Sequence, residues 1–358
     1  MIGTTRDYAN ALDALSDQYD FVSDFPMWLP PRVALANTPE TRGLSVPLKR
    51  EWPEGSGISE AWQKGIRGAN VLVGVLDTGV DADHLEFSDK VITYRYVSFF
   101  PSSPDWPPRD VRGFDMDGHG SHVCGIIAGR NVGVAPEVSL YVASVIESET
   151  TRTSLTRVVS GLNWLFQQFS LPENEHKPAI LNMSLGFPMS PPPDIARQEF
   201  EQRIMAMEVL LQTIVQANVL LVTAIGNEGV GKFNYPGALE QSVGVGAVDF
   251  DGKIAEFSGS GVMTGENTKP DLVGYGVGVY SSFERDYAAN SFYQRLSGTS
   301  MAAPYVTGIA ALYRGQDPNL SQQETQQKLL DNCETLAGQP KDRIGKGLAR
   351  FRCEGKAK

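Results

Sequence analysis

Strand-like apolar runs alternate with helix-like stretches along most of this chain, and that alternation limits the folds open to it. Val71-Leu72-Val73-Gly74-Val75-Leu76 is an unbroken apolar run, suited to a strand buried on both faces. Similar runs occupy residues 139–146, Ala179–Met183, 219–225 and Val243–Val248. Stretches of helical spacing cover residues 119–129, 154–169, 194–217 and 301–313. In the second of these, Leu155, Val158, Val159, Leu162, Leu165 and Phe166 share one broad face. The order predicts an α/β fold of three layers, a mostly parallel central sheet with helices on both faces. Ligands in such folds sit at the carboxyl ends of the strands, so the residues just after each run are the ones to inspect.

At 358 residues, 41% hydrophobic and 20% charged, the chain is long enough for one large domain. Residues 1–55 differ from the rest. Tyr8, Leu12, Leu15 and Tyr19 recur at roughly helical spacing, and a Pro-rich stretch follows, from Pro26-Met27-Trp28-Leu29-Pro30-Pro31 to Trp52-Pro53. This segment is predicted to be an extension of the domain at 56–358, either a short pro-segment or a permanent strap. A net charge of −11 without a basic tract argues against nucleic acid or an anionic membrane as main partner. No apolar stretch approaches the length of a membrane span. The first residues lack the basic-then-apolar run of a secretory signal, so a native start at Met1 predicts a cytoplasmic protein and a trimmed start a secreted one. Cys124, Cys333 and Cys353 are too few and too scattered for a disulfide framework; Cys333 and Cys353 either pair or stay reduced. Cys124, among apolar neighbours, reads as a small buried hydrophobe.

Four polar points stand out against this frame. Asp77 ends the first apolar run, as a turn residue or as the acid of a site. His119 opens a helix in Asp117-Gly118-His119-Gly120-Ser121-His122. His119 and His122, with Asp115 and Asp117 upstream, invite a metal reading, but the two-histidine zinc-hydrolase spacing is missing; His122 suits a structural role better. Asn227 follows the run at 219–225 in Gly226-Asn227-Glu228-Gly229, as a turn residue or as an amide aimed at an oxyanion. Ser300 stands at a helix start in Gly298-Thr299-Ser300-Met301, where unpaired N–H groups favour a developing negative charge. It is a candidate nucleophile.

Together the blocks around Asp77, His119, Asn227 and Ser300 resemble the signature blocks of the subtilisin-like serine proteases (peptidase family S8), in that family's order of Asp, His and Ser. The resemblance runs from about Gly57 to about Phe351. It implies a serine endopeptidase: Ser300 attacks the peptide carbonyl, His119 relays the proton, Asp77 orients His119, and Asn227 with the Ser300 N–H holds the oxyanion. It also implies that Ser184, Leu185 and Gly186 pair with the substrate backbone, and that Ala224, Ile225 and Gly226 wall the first specificity pocket, with Asn234 at its floor. Peptides or proteins would be the substrates, and a dedicated intracellular processing enzyme is one option within the family. The alternative is a catalytically silent or latent scaffold of the same fold that binds peptide.

Departures from the family pattern carry their own expectations. The run Gly129-Arg130-Asn131-Val132-Gly133-Val134-Ala135-Pro136 is short where tight calcium binders carry a longer loop, so the strong calcium site is expected to be absent and no cofactor is implied. The connection from Asn227 to Tyr235 is also short, and Asn234 stands where a glycine is common. A shallow or polar pocket floor follows, without a preference for large aromatic side chains.

Overall fold

A computed structural model describes residues 26–31, 33, 52–98, 111–148, 150–191, 196–264, 267–285 and 291–353. The helical spacing expected from Tyr8 to Tyr19 lies outside them. Seven strands form one parallel sheet: β1 (Leu72–Asp77), β2 (Thr93–Tyr96), β3 (Ser139–Ser144), β4 (Ala179–Met183), β5 (Val219–Ala224), β6 (Val243–Val248) and β7 (Leu272–Tyr275). Their spatial order is β7-β6-β5-β4-β1-β3-β2. All neighbours run parallel, with Leu76 opposite Met183 and Asp77 opposite Ser144. The chain leaves β1 toward β3 and returns on the other side as β4, so the strand order reverses around β1. The crevice such a reversal opens lies beyond the carboxyl ends of β1 and β4.

Five strands coincide with the apolar runs. The two edge strands do not. β2 alternates polar and aromatic residues in Thr93-Tyr94-Arg95-Tyr96, as suits an edge, and β7 is only four residues long. Helices α1 (His119–Ala128) and α4 (Thr299–Gln316) cover one face, and α2 (Leu155–Phe169) and α3 (Arg197–Gln216) the other. Strand side chains alternate between the two cores. Val73 and Val75 pack with Val123, Ile126, Val306 and Ile309, whereas Leu72 and Leu76 pack with Leu162, Leu165, Phe200 and Leu211. α2 begins where the Ser154 hydroxyl accepts the Arg157 N–H. Trp52 packs on Tyr275 and Tyr305, and its indole N–H donates to Val132 O at 2.9 Å.

α4 is buried from Thr299 to Arg314. A helix enclosed on all sides is apolar all round, as this one is up to Arg314. The Arg314 guanidinium donates to Ala179 O at 2.7 Å and to Thr325 Oγ1 at 2.9 Å. Burial lowers its pKa to about 10, and its place in the last turn of α4 suits a positive charge. Among the described residues no helix is long and apolar enough to cross a membrane.

One pH-sensitive tie fastens the segment after β1. His84 is fully buried; its Nδ1 accepts the Glu86 N–H at 3.1 Å and its Nε2 donates to Phe292 O at 2.8 Å. Both ring nitrogens are therefore engaged in the neutral form, and burial holds the pKa below the ordinary 6.5. Between the lowered value and the ordinary one, the unfolded chain binds more protons than the folded chain. Stability is therefore lost as pH falls through that window, by up to about 1.4 kcal/mol per pH unit from this residue. His84→Asn keeps a cap acceptor and removes the titration. Its melting temperature should fall less than that of the native chain between pH 7.5 and 5.5, and equal losses would refute the assignment.

Candidate active site

The site is assembled from four element ends. At the end of β1, buried Asp77 accepts at Oδ1 from His119 Nδ1 and from the Thr78 N–H, both at 2.7 Å. Burial pushes the Asp77 carboxyl up from the ordinary carboxylate range, while His119 and the Thr78 N–H pull it back. The other end of this hydrogen bond is fixed by the start of α1. Asp115 Oδ1 accepts the N–H groups of Asp117 and Gly118, and its Oδ2 accepts the N–H and hydroxyl of Ser121. The Gly120 N–H donates to Thr78 Oγ1 at 2.8 Å, and Ser144 Oγ donates to Thr78 O at 2.8 Å. Gly118 has φ +90°, and a Cβ there would lie 2.5 Å from the Phe283 ring, so the turn that presents His119 requires glycine.

His122 points elsewhere, its Nε2 lying 3.0 Å from both Val279 O and Gln294 O. With the Asp115 oxygens taken by donors, the four residues that invited a metal reading do not converge. Among the described residues no three His, Cys, Asp or Glu side chains are grouped to hold a metal ion. The turn after α1 is instead fastened to Glu86. That fully buried carboxylate accepts from Asn131 N, Asn131 Nδ2, Val132 N and the Tyr293 hydroxyl. Donors converge on these oxygens, where a cation would need further acceptors.

Ser300 is the second residue of α4, which packs directly against α1. Its hydroxyl donates to Ser184 O at 3.4 Å, and Ser184 Oγ donates to Ser300 O at 3.2 Å. This exchange latches the end of β4 to the start of α4. Asn227, after β5, is held by its oxygen: Oδ1 accepts the N–H and the hydroxyl of Thr299, each at 2.9 Å. Thr299 Oγ1 also accepts the Gly226 N–H at 3.2 Å. The amide nitrogen of Asn227 is thereby turned outward.

What it meets is the chain itself. Asn227 Nδ2 donates to Pro31 O at 2.9 Å. Residues 26–28 are extended, with Pro26 opposite Ser154 and Met27 opposite Thr153. Trp28 and Gly186 exchange both backbone hydrogen bonds at 2.9 Å. Met27 and Leu29 are buried. The segment thus lies as an antiparallel strand along residue 186 and ends at Asn227. The sequence marks it only as irregular and proline-rich.

Of the other residues expected at the site, Leu185 and Ile225 are buried in one core and Ala224 in the other, so they offer their backbones. A Cβ on Gly186 would lie 2.2 Å from Tyr235 O. Asn234 is buried, pairs across from Pro188, and donates from Nδ2 to Glu228 Oε1 at 3.3 Å. Three contributors escaped the sequence reading as site residues: Thr78, Thr299 and Glu228. Each is adjacent to a singled-out residue, and their hydroxyl or carboxyl groups were the available signal. All three cysteines are free; Cys124 is buried, and that burial raises its thiol well above the ordinary range.

A buried acid paired to a helix-opening histidine, a helix-start serine latched to Ser184 and an outward-turned amide held by Thr299 all stand at element ends of an α/β fold, the arrangement a serine hydrolase calls for. The subtilase family model matches residues 68–347. The subtilisin-like protease PopC of Myxococcus xanthus (strain DK1622) is 52% identical over 340 residues, covering 94% of this chain and 71% of that protein. The major intracellular serine protease of Bacillus subtilis (strain 168) is 32% identical, covering 80% and 86%, and subtilisin DY of Bacillus licheniformis is 31% identical, covering 76% and 87%. The chain belongs to the subtilase family and is a subtilisin-like serine endopeptidase.

Proposed function

We propose that the endopeptidase works through Ser300, His119 and Asp77, with Asn227 and the Ser300 backbone N–H as oxyanion donors. Ser300 Oγ attacks the carbonyl of a bound peptide, His119 takes its proton, and the acyl-enzyme forms as His119 returns that proton to the leaving amine. Water then repeats the sequence in reverse roles. Asp77 holds the Nδ1 proton of His119 and stabilises the imidazolium. The supporting observation is the aim of the Asn227 amide, whose oxygen is tied to Thr299 and whose nitrogen meets a peptide carbonyl at 2.9 Å. That donor is pre-oriented, so no reorganisation is needed when charge develops. Ser184, Leu185 and Gly186 would pair with the substrate backbone, in the way Gly186 pairs with Trp28.

Residues 26–31 are read as an inhibitory strap. The register that sets Trp28 opposite Gly186 sets Pro30 opposite Ser184. A substrate residue there would donate its N–H to Ser184 O, but proline has none. Ser184 O is met instead by the Ser300 hydroxyl at 3.4 Å, which directs that hydroxyl away from attack. The strap therefore fills the cleft without the ladder hydrogen bond that would seat it as substrate. Three free thiols, two of them only half-buried, support a reducing compartment, and with the strap they support a restrained processing enzyme rather than a general digestive one. The Glu86 arrangement supports a fold that does not rely on calcium at the turn after α1.

Three measurements test these readings. A fluorophosphonate probe should label the full chain and not Ser300→Ala, while Asn227→Ala should lower turnover by roughly 10²–10³, the size of loss known for a subtilisin amide in this role. An unlabelled native chain that labels as Pro30→Ala would be a latent enzyme closed by the strap, and labelling of neither would favour a silent scaffold. Intact mass after incubation should be unchanged for the native chain, whereas Pro30→Ala, which restores the N–H opposite Ser184, should lose its N-terminal segment near residue 31. Loss of that segment from the native chain would make it a removable pro-segment. The melting temperature should be the same in excess EGTA and in millimolar calcium; a calcium-dependent rise would overturn the calcium reading.

A further inference from the structure

Asn182 is an amide in the middle of an apolar face. In register it lies between Val75 of β1 and Val222 of β5, both in the core under α1 and α4, and it is fully buried. Its Oδ1 accepts the hydroxyl of Thr307, which is buried in α4, at 2.9 Å. Its Nδ2 donates to Ser184 Oγ at 3.2 Å, and Ser184 Oγ donates in turn to Ser300 O at 3.2 Å. The three bonds run one way. The Thr307 hydroxyl fixes which end of the amide faces Ser184. The amide N–H₂ group then occupies a lone pair of the Ser184 oxygen, which leaves the Ser184 hydrogen to point at Ser300.

The carbonyl at the end of this chain lacks a partner within its own helix. Pro304 stands inside α4. Having no N–H, it leaves the carbonyl four residues earlier, that of Ser300, without the usual helical donor. Ser184 Oγ supplies the missing bond. Stability alone does not call for such a buried polar chain, because apolar side chains of the same shape can replace paired polar groups at little cost. What the chain does accomplish is geometric. It ties the backbone of Ser300 to the end of β4 from inside the core rather than from the cleft, and the Ser300 hydroxyl and N–H are carried on that backbone.

We propose that Asn182 is a positioning residue, acting through the Ser184 hydroxyl to hold Ser300 where it can attack. The proposal rests on the endopeptidase mechanism above, in which Ser300 is the nucleophile. Asn182 is sealed beneath α4, so a peptide does not touch it. Its loss should therefore appear in turnover rather than in binding, as expected when a reacting atom is misplaced by a fraction of an ångström.

Fluorogenic-peptide kinetics on the full chain test this, with active sites counted by fluorophosphonate labelling. Where the strap closes the native chain, the same comparison is made in Pro30→Ala. Asn182→Ala should lower kcat per labelled site by about tenfold and leave KM within about twofold. Thr307→Val keeps the shape and removes one hydroxyl; it should lower kcat about threefold, and Thr307→Ser should restore it. Asn182→Ala combined with Ser184→Ala should be no slower than Ser184→Ala alone, because the amide acts through that hydroxyl. A merely structural role would lower the melting temperature and leave kcat per labelled site unchanged, and that result overturns the proposal. A double variant whose loss is the product of the two single losses overturns it as well. If Asn182→Ala does not fold, the Thr307 pair decides, and equal kcat for Thr307→Val and Thr307→Ser refutes it. Labelling separates the two levels. A labelled enzyme with unaltered kcat in these variants sinks only this inference. A chain that neither labels nor cleaves, as native or as Pro30→Ala, sinks the endopeptidase mechanism with it.

Discussion

A seven-stranded parallel sheet has to be covered on both faces, and the rest of this molecule follows from that constraint. Its inner strands carry few polar side chains, because both faces are core; Asn182 is accommodated by accepting the Thr307 hydroxyl at 2.9 Å. Polar chemistry is left to the strand ends, where β1, β4 and β5 release Asp77, Ser184 and Asn227. The helices that seal one face, α1 and α4, start at the same edge and deliver His119 and Ser300 from their first turns. The candidate site is therefore a by-product of layering: all five polar groups leave their elements where apolar packing stops.

Precision at that edge comes from hydrogen bonds one step removed from the chemistry. Thr78 ties β1 to the start of α1 through the Gly120 N–H, and Asp115 closes the turn that presents His119. Thr299 holds the oxygen of Asn227 from two directions and so fixes which way its N–H₂ group faces. Thr78 and Thr299 are small and buried, with little rotamer freedom to lose, and they suit preorganisation better than long charged side chains would. The cost of burying Asp77 is offset in part by the His119 ring and the Thr78 N–H.

Residues 26–28 pair as an added strand, and under the proposed mechanism they follow the backbone pattern of a substrate and depart from it at one point. Trp28 makes both bonds of a strand pair, and Pro30 cannot make the next. In that reading a proline in place of an ordinary residue separates occupancy from reaction.

The apolar runs at 71–76, Ala179–Met183 and Val243–Val248 determined the sheet, because strands buried on both faces need continuous hydrophobic sequence. The blocks around Asp77, His119, Asn227 and Ser300 were legible for a related reason, since glycine turns and strand ends leave short, fixed patterns. The edge strand at Thr93–Tyr96 was not legible, because one side of it meets solvent and its composition is mixed. Nor was the strap, since Pro26–Pro31 has no period of its own and becomes a strand only when Gly186 offers it a partner. The roles of Thr299, Glu228 and Glu86 belong to tertiary structure alone. Whether a hydroxyl orients an amide, or a carboxylate is satisfied by four donors or left one short, depends on neighbours some 45 to 207 residues away in the cases of Glu86 and Thr299, and on a buried asparagine in the case of Glu228. Sequence fixes which groups a chain possesses, and only the packed fold decides which partners they find, because those partners come from distant parts of the chain.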